Sequence, residues 1–254
     1  MTINILLCDT FPGLLPAYIP SYVSMFTNLF NAAGNQIEYR IYKAMDGHLP
    51  EDITSDGLYL ITGCNLSAYD DVEWIKRLLK WITRAHESKA KLVGICFGHQ
   101  AIAQALGGRV ERSAKGWGAG VRESVMVDDT ALKFFPDKRM RLLYNHHDQV
   151  VALPADAELV AQSQFCPIDS FRIGNHILTF QGHPEYIPEY EVHLIEHFAD
   201  NEPLQIKNEA LESIRLMEHQ GAAVAAWILE WSRNDCRIFL HPAEPPFGKT
   251  ELNS

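Results

Sequence analysis

The sequence predicts an α/β fold, an open and mostly parallel sheet with helices on both faces, and three observations carry that expectation. Strand-like apolar runs alternate with helix-periodic segments through the first half of the chain. The run Leu92, Val93, Ile95 ends on a glycine-flanked cysteine and passes at once into a helix pattern. The last strand signal, His176 to Phe180, leads directly into Gln181-Gly-His-Pro-Glu185. Ligand-binding and reactive groups of open α/β sheets collect at the carboxyl ends of the strands. Those two segments are therefore expected on the same side of the sheet.

Taken in order, Ile3 to Cys8 reads as a first strand, Tyr18 to Ala33 as a helix, and Ile37 to Tyr42 and Gly57 to Thr62 as strands. Asp70 to Glu87 is amphipathic, with Val72, Ile75, Leu78, Leu79 and Ile82 on one side and Lys76, Arg77 and Lys80 on the other. After the cysteine, Ala101 to Leu106 has helical apolar spacing and stops at Gly107-Gly108. The texture then shifts to short extended pieces at Arg109 to Arg112, Glu123 to Val127, Leu142 to Tyr144, Glu158 to Gln162 and Ser170 to Ile173, which suggests a mixed or antiparallel extension. Helical patterns return over Glu191 to Ala199 and Gln205 to Ser232, ahead of a Pro-rich end expected to be loosely ordered. The expected organisation is a main domain over residues 1–195 and a C-terminal helical extension and tail over 196–254.

A chain of 254 residues can bury a substantial core, and 47% hydrophobic with 21% charged residues is ordinary for a globular protein. The net charge of -10, with no basic run, disfavours a nucleic-acid partner. Neither a signal peptide nor an apolar segment long enough to span a bilayer is expected, so no membrane partner is either. Five scattered cysteines without C-x-x-C pairs indicate neither a disulfide framework nor a zinc site, and a reducing cytoplasm is the expected setting.

The most specific signal is Gly94-Ile-Cys-Phe-Gly98, which reads as a nucleophile elbow. Gly94 and Gly98 remove side chains where a strained strand-to-helix turn brings backbone segments together. Cys96 is expected to stand exposed above a helix N-terminus, whose partial positive charge favours the thiolate. The plainer fate of a free cysteine is a small core residue; the paired glycines set this one apart. A cysteine nucleophile needs a base, and the base needs an orienting group. His183 and Glu185 offer both, two residues apart on an extended segment with Pro184 between them, although His183 is one of 11 histidines and most histidines have no such role. A glycine at the end of an earlier strand, in Ile61-Thr-Gly-Cys-Asn65, suggests an oxyanion hole from the amides of Gly63 and Phe97, against the common reading of a simple turn.

Together, Gly94-Ile-Cys-Phe-Gly-His-Gln100, Gln181-Gly-His-Pro-Glu185 and Thr62-Gly63 resemble the class I (triad) glutamine amidotransferase family over roughly residues 1 to 195. The overall pattern is similar to the freestanding branch near the amidotransferase domain of GMP synthetase. The resemblance implies a flavodoxin-like sheet, a Cys96, His183, Glu185 triad, and Gln100 helping to bind the glutamine side of the substrate. Asn145-His-His-Asp-Gln-Val150 is similar to the segment lining the family's substrate pocket, which implies substrate-binding roles for His147 and Asp148. Cys64 departs from the small polar residue or proline frequent there, and the segment after Tyr190 is too short for a synthetase domain.

The implied reaction is attack of the Cys96 thiolate on a γ-glutamyl carboxamide, protonation of the leaving nitrogen by His183, and hydrolysis of the thioester, with no cofactor or metal required. The expected function is hydrolysis of glutamine or a related small γ-glutamyl compound. Two alternatives stand beside it: a subunit passing ammonia to a separate synthetase, and a catalytically silent binding protein, against which the intact Cys, His and Glu set argues. A metal site at His146-His147-Asp148 is disfavoured because adjacent strand residues face opposite ways. The i, i+4 pair His193 and His197 reads more simply as a solvated helix face.

Overall fold

A computed structural model describes residues 1–10, 15–34, 36–54 and 57–233. Cys236 and the expected loose tail lie outside the described residues. The first parallel unit comprises β1 (Thr2–Leu7), α1 (Tyr22–Ala33), β2 (Glu38–Lys43) and β3 (Gly57–Ile61). It is followed by α2 (Glu73–Glu87), β4 (Lys91–Ile95) and α3 (Phe97–Ala105). The next run is extended: β5 (Arg109–Arg112), β6 (Gly118–Met126), β7 (Arg139–His146), β8 (Asp148–Ala152), β9 (Ala157–Gln162), β10 (Ser170–Ile173) and β11 (Ile177–Phe180). Three helices complete the described chain, α4 (Pro188–Phe198), α5 (Leu204–Leu216) and α6 (Gly221–Arg233).

Nine strands form one sheet in the order β2-β1-β3-β4-β11-β10-β9-β6-β7, and β5 pairs with β8 in a small second sheet. Strands β2, β1, β3, β4 and β11 are mutually parallel; β10, β9, β6 and β7 continue antiparallel. This is the expected open α/β sheet with an antiparallel extension. There, β9, β10 and β11 follow one another through short connections, which suit antiparallel neighbours.

Period-two alternation splits each central strand between two cores. Leu58 and Leu60 of β3 join Phe26 and Phe30 of α1 and Trp227 and Ile228 of α6 on one face. Tyr59 and Ile61 face the other side, with Leu78 and Ile82 of α2 and Ile102 of α3. The helical stretch expected over 205–232 is broken at 217–220 into α5 and α6. The boundary expected at 195/196 falls inside α4, and α6 lies in the same core as α1. Among the described residues, no helix is long and apolar enough to cross a membrane.

Candidate active site

The register of the parallel strands assembles the site. Ile61 of β3 is level with Gly94 of β4, and Phe180 of β11 is level with Ile95. The residues just beyond these ends, Thr62-Gly63, Cys96 and Gln181 to His183, therefore emerge side by side. Cys96 N–H donates to Phe180 O at 2.8 Å, tying the elbow to the neighbouring strand.

Cys96 is the N-cap of α3, with φ +50° and ψ −103°. A non-glycine residue in that half of φ space is strained, at a cost of about 1–3 kcal/mol. The flanking glycines make the turn possible. A Cβ on Gly94 would lie 2.6 Å from the carbonyl of Gly98, and one on Gly98 would collide with the carbonyl oxygen of Ile61. The expectation that Cys96 is exposed is not met: it is 6% accessible and lines two adjoining cavities, whose other walls come from the loop after β3, from β7 and from α4.

His183 and Glu185 are brought together with Cys96. Nδ1 of His183 donates to Oε1 of Glu185 at 2.7 Å, with both side chains buried. Nε2 of His183 is buried, and the imidazole's other side-chain partner is Cys96. Gly63 marks how close the three strand ends lie, since a Cβ there would be 3.0 Å from Cε1 of His183 and 3.7 Å from Cβ of Cys96. Burial alone pulls the imidazole's pKa down, but the negative charges of Glu185 and the Cys96 sulfur outweigh it and lift it to about 10. The ring also stacks on Tyr186, centroids 3.8 Å apart. Its backbone N–H donates to Leu143 O at 2.7 Å, so the imidazole is held by β7 as well as by β11.

Several neighbours carry no sequence motif of their own. Tyr22, at the start of α1, accepts from Gly63 N–H at 2.9 Å and donates to Oε1 of Glu185 at 3.2 Å. Burial and the Glu185 charge push its phenol pKa well up, so it stays protonated as a donor. Gln181 donates from Nε2 to the Cys96 sulfur at 3.6 Å and accepts from Nε2 of Gln100 at 3.1 Å. The sequence offered a signal for Gln181, which lies inside the Gln-Gly-His-Pro-Glu segment; Tyr22 offered none, because its partners are remote in the chain.

Of the predicted substrate-binding residues, Gln100 spends its Nε2 on Gln181 and on Asp148 O at 2.8 Å, and lines one cavity. His147 lines both cavities, with Nε2 2.9 Å from Oε1 of Glu202. The Asp148 carboxylate accepts from Ser67 Oγ at 2.5 Å and Tyr69 Oη at 3.2 Å. Arg112 and Asn145, not singled out from the sequence, also line the cavities. Asn145 is held from behind: its Oδ1 accepts from the Trp117 indole at 3.0 Å and its Nδ2 donates to Glu191 at 3.4 Å. Glu191 is fully buried on α4, and burial raises its carboxyl pKa to about 7. His146 is buried and neutral, its pKa lowered to about 3 by burial. No cluster of three or more His, Cys, Asp or Glu among the described residues could hold a metal ion.

Residues 20–201 match the family described as glutamine amidotransferase class-I, and the chain belongs to that family. Its relatives include gamma-glutamyl peptidase 3 of Arabidopsis thaliana, 29% identical across 83% of this chain and 85% of that protein. Gamma-glutamyl peptidase 5 of the same plant is 32% identical across 64% and 68% respectively. The fold is similar to that of a glutamine amidotransferase from Thermotoga maritima, with a TM-score of 0.70 at 20% identity over 92% of this chain and 98% of that one.

Proposed function

We propose that this protein hydrolyses the γ-glutamyl amide bond of glutamine or a related γ-glutamyl compound through a thioester on Cys96. The observation that carries the reading is His183, oriented by Glu185 through Nδ1 and engaged with the Cys96 side chain. A pKa near 10 keeps that imidazole protonated at neutral pH, beside the Cys96 sulfur and ready to act as an acid.

The Cys96 thiolate attacks the carboxamide carbon, and a sulfur–carbon bond forms as the carbonyl π pair moves onto oxygen. Backbone donors receive that oxyanion. Phe97 N–H is the first of α3 and has no acceptor within the helix. Gly63 N–H is already committed to Tyr22, so the second donor is assigned to the next amide, Cys64, whose residue lines both cavities. Collapse of the adduct breaks the C–N bond, and His183 gives its proton to the departing nitrogen. Water, deprotonated by the now neutral imidazole, then cleaves the thioester and releases glutamate. Glu185 and Tyr22 are positioning residues that hold His183 in the required tautomer. Gln181 steadies the sulfur.

Arg112 and Asp148 supply opposite charges suited to the α-carboxylate and α-ammonium of a γ-glutamyl group. Freestanding hydrolysis, rather than ammonia delivery to a synthetase, agrees with the two plant relatives named for peptidase activity. Incubating the purified chain with a diazo-ketone analogue of glutamine, followed by peptide mass spectrometry, tests the reading. A single adduct on Cys96 is expected; an unmodified Cys96, or labelling of another cysteine, would overturn it.

A further inference from the structure

Two cavities meet at Cys96 and share Cys64, Asn65, Asn145 and His147, but what each adds to that common floor differs. One adds Ser67, Gln100, Arg112, His146 and Asp148 with a single apolar side chain, Leu66, a mostly polar set with charges of both signs. The other adds Trp117, Tyr186, Leu194, Phe198 and Glu202, and only this one is lined by His183. A carboxamide held at Cys96 must turn its nitrogen towards the imidazole that protonates it. The nitrogen's substituent then extends into the cavity on the His183 side, and the γ-glutamyl chain occupies the polar one.

Size and charge define what that substituent is. The space on the His183 side is about 160 Å³, against the ~10–15 Å³ that suffices for one water. Ammonia, which is no larger than water, would leave nearly all of it unused. The walls are built for a ring or a branched chain. Trp117 is fixed by its bond to Asn145 and lies parallel to His147, with centroids 6.5 Å apart. Phe198 is 51% accessible on α4, an exposed aromatic edge that a bound apolar group would cover. No Lys or Arg is among the described residues lining this cavity, and Glu202 places a carboxylate in it. An α-amino acid as leaving group would bring its own carboxylate beside Glu202, while the imidazoles that line the cavity are already committed, His147 to Glu202 and His183 to Glu185 and the Cys96 sulfur.

We propose that this cavity is a leaving-group subsite selecting γ-glutamyl amides of uncharged apolar amines, aromatic amines above all, over γ-glutamyl amino acids and over glutamine. The inference rests on the hydrolase reading above. In the reaction the acyl–sulfur bond forms, the C–N bond breaks, and the amine departs from the subsite with the proton from His183.

The test compares kcat/KM of the purified chain for γ-glutamylphenethylamide, γ-glutamylphenylalanine, γ-glutamylmethylamide and glutamine. The first two differ by one carboxylate, and the first and third by the ring. The phenethylamide should exceed each of the others by about tenfold or more, which is about 1.4 kcal/mol per tenfold. Glu202→Gln should raise the phenylalanine compound relative to the phenethylamide. Phe198→Ala should lower the phenethylamide relative to the methylamide. A wild-type preference for γ-glutamylphenylalanine, or equal use of phenethylamide and methylamide, overturns the subsite while leaving the hydrolase reading intact. Cleavage of none of the four overturns that reading and the subsite with it.

Discussion

In the parallel half of the sheet, β3, β4 and β11 end together and deliver Gly63, Cys96 and His183 to one place through strand register alone. In the antiparallel half, β10, β9, β6 and β7 run in alternating directions, so their carboxyl ends do not gather at one edge. The far edge strand, β7, curls back until Leu143 bridges His183, and with β8 it brings Asn145, His147 and Asp148 over the nucleophile. One half sets where the bond is broken; the other sets what surrounds it. Chemistry and its pH response are therefore expected to fail through substitutions in the first half, whereas substitutions around the second should change affinity and stability.

The largest expected effect is that of Cys96→Ala. Turnover of γ-glutamyl substrates should fall by about 1,000-fold or more, while circular dichroism and the cooperativity of thermal unfolding stay intact. A mutant that keeps activity would remove the contrast altogether. Next comes the acid. Because the His183 pKa is raised above its unfolded value, the imidazolium and the stability it brings are fully present below about pH 6.5 and lost as pH rises through about 10. The kcat profile should thus hold level from pH 7 to 9 and decline near 10. Glu185→Gln should cost about 10- to 100-fold in kcat and draw that alkaline decline to lower pH; an unmoved decline would detach Glu185 from His183.

Across the sheet, Asn145→Ala should raise KM by about tenfold with a smaller change in kcat, since Asn145 lines both cavities without lying in the proton path. An equal loss in kcat alone would move Asn145 into the chemistry and blur the two halves. The smallest effect is on stability. Glu191 has its pKa raised to about 7 by burial, so its ionised form weighs against the fold above that pH and is relieved as pH falls from 7 towards the ordinary carboxylate value. Glu191→Gln should raise the Tm at pH 8, by an amount worth no more than about 3 kcal/mol, and flatten the dependence between pH 4.5 and 7.

The same division governs what could be read from the sequence. The parallel half was legible because each of its signals is local: alternation of strand and helix, the amphipathic stripe of α2, and the two glycines that fit one turn. Ser170–Ile173 and Arg109–Arg112 were legible too, as short runs between turn residues. By contrast, β8 passed unnoticed because it follows β7 after only His147, with no turn punctuation between them. Tyr22 reaches Glu185 across 163 positions, and Glu191 reaches Asn145 across 46. Such pairings follow from sheet order and helix packing, which no local pattern encodes. The burial of Cys96 has the same origin, because its walls come from segments on both sides of it in the chain.

The positive φ of Cys96 has a consequence for the protein's history as well as its chemistry. A residue held in that conformation is a standing local instability, and glycine would relieve it. Cys96→Gly is therefore the replacement at this position with the best prospect of making the fold sturdier, and it would erase the thiol. Selection for robustness and selection for turnover pull this one position in opposite directions. A descendant freed from its chemical task would be expected to lose the cysteine before it lost the sheet.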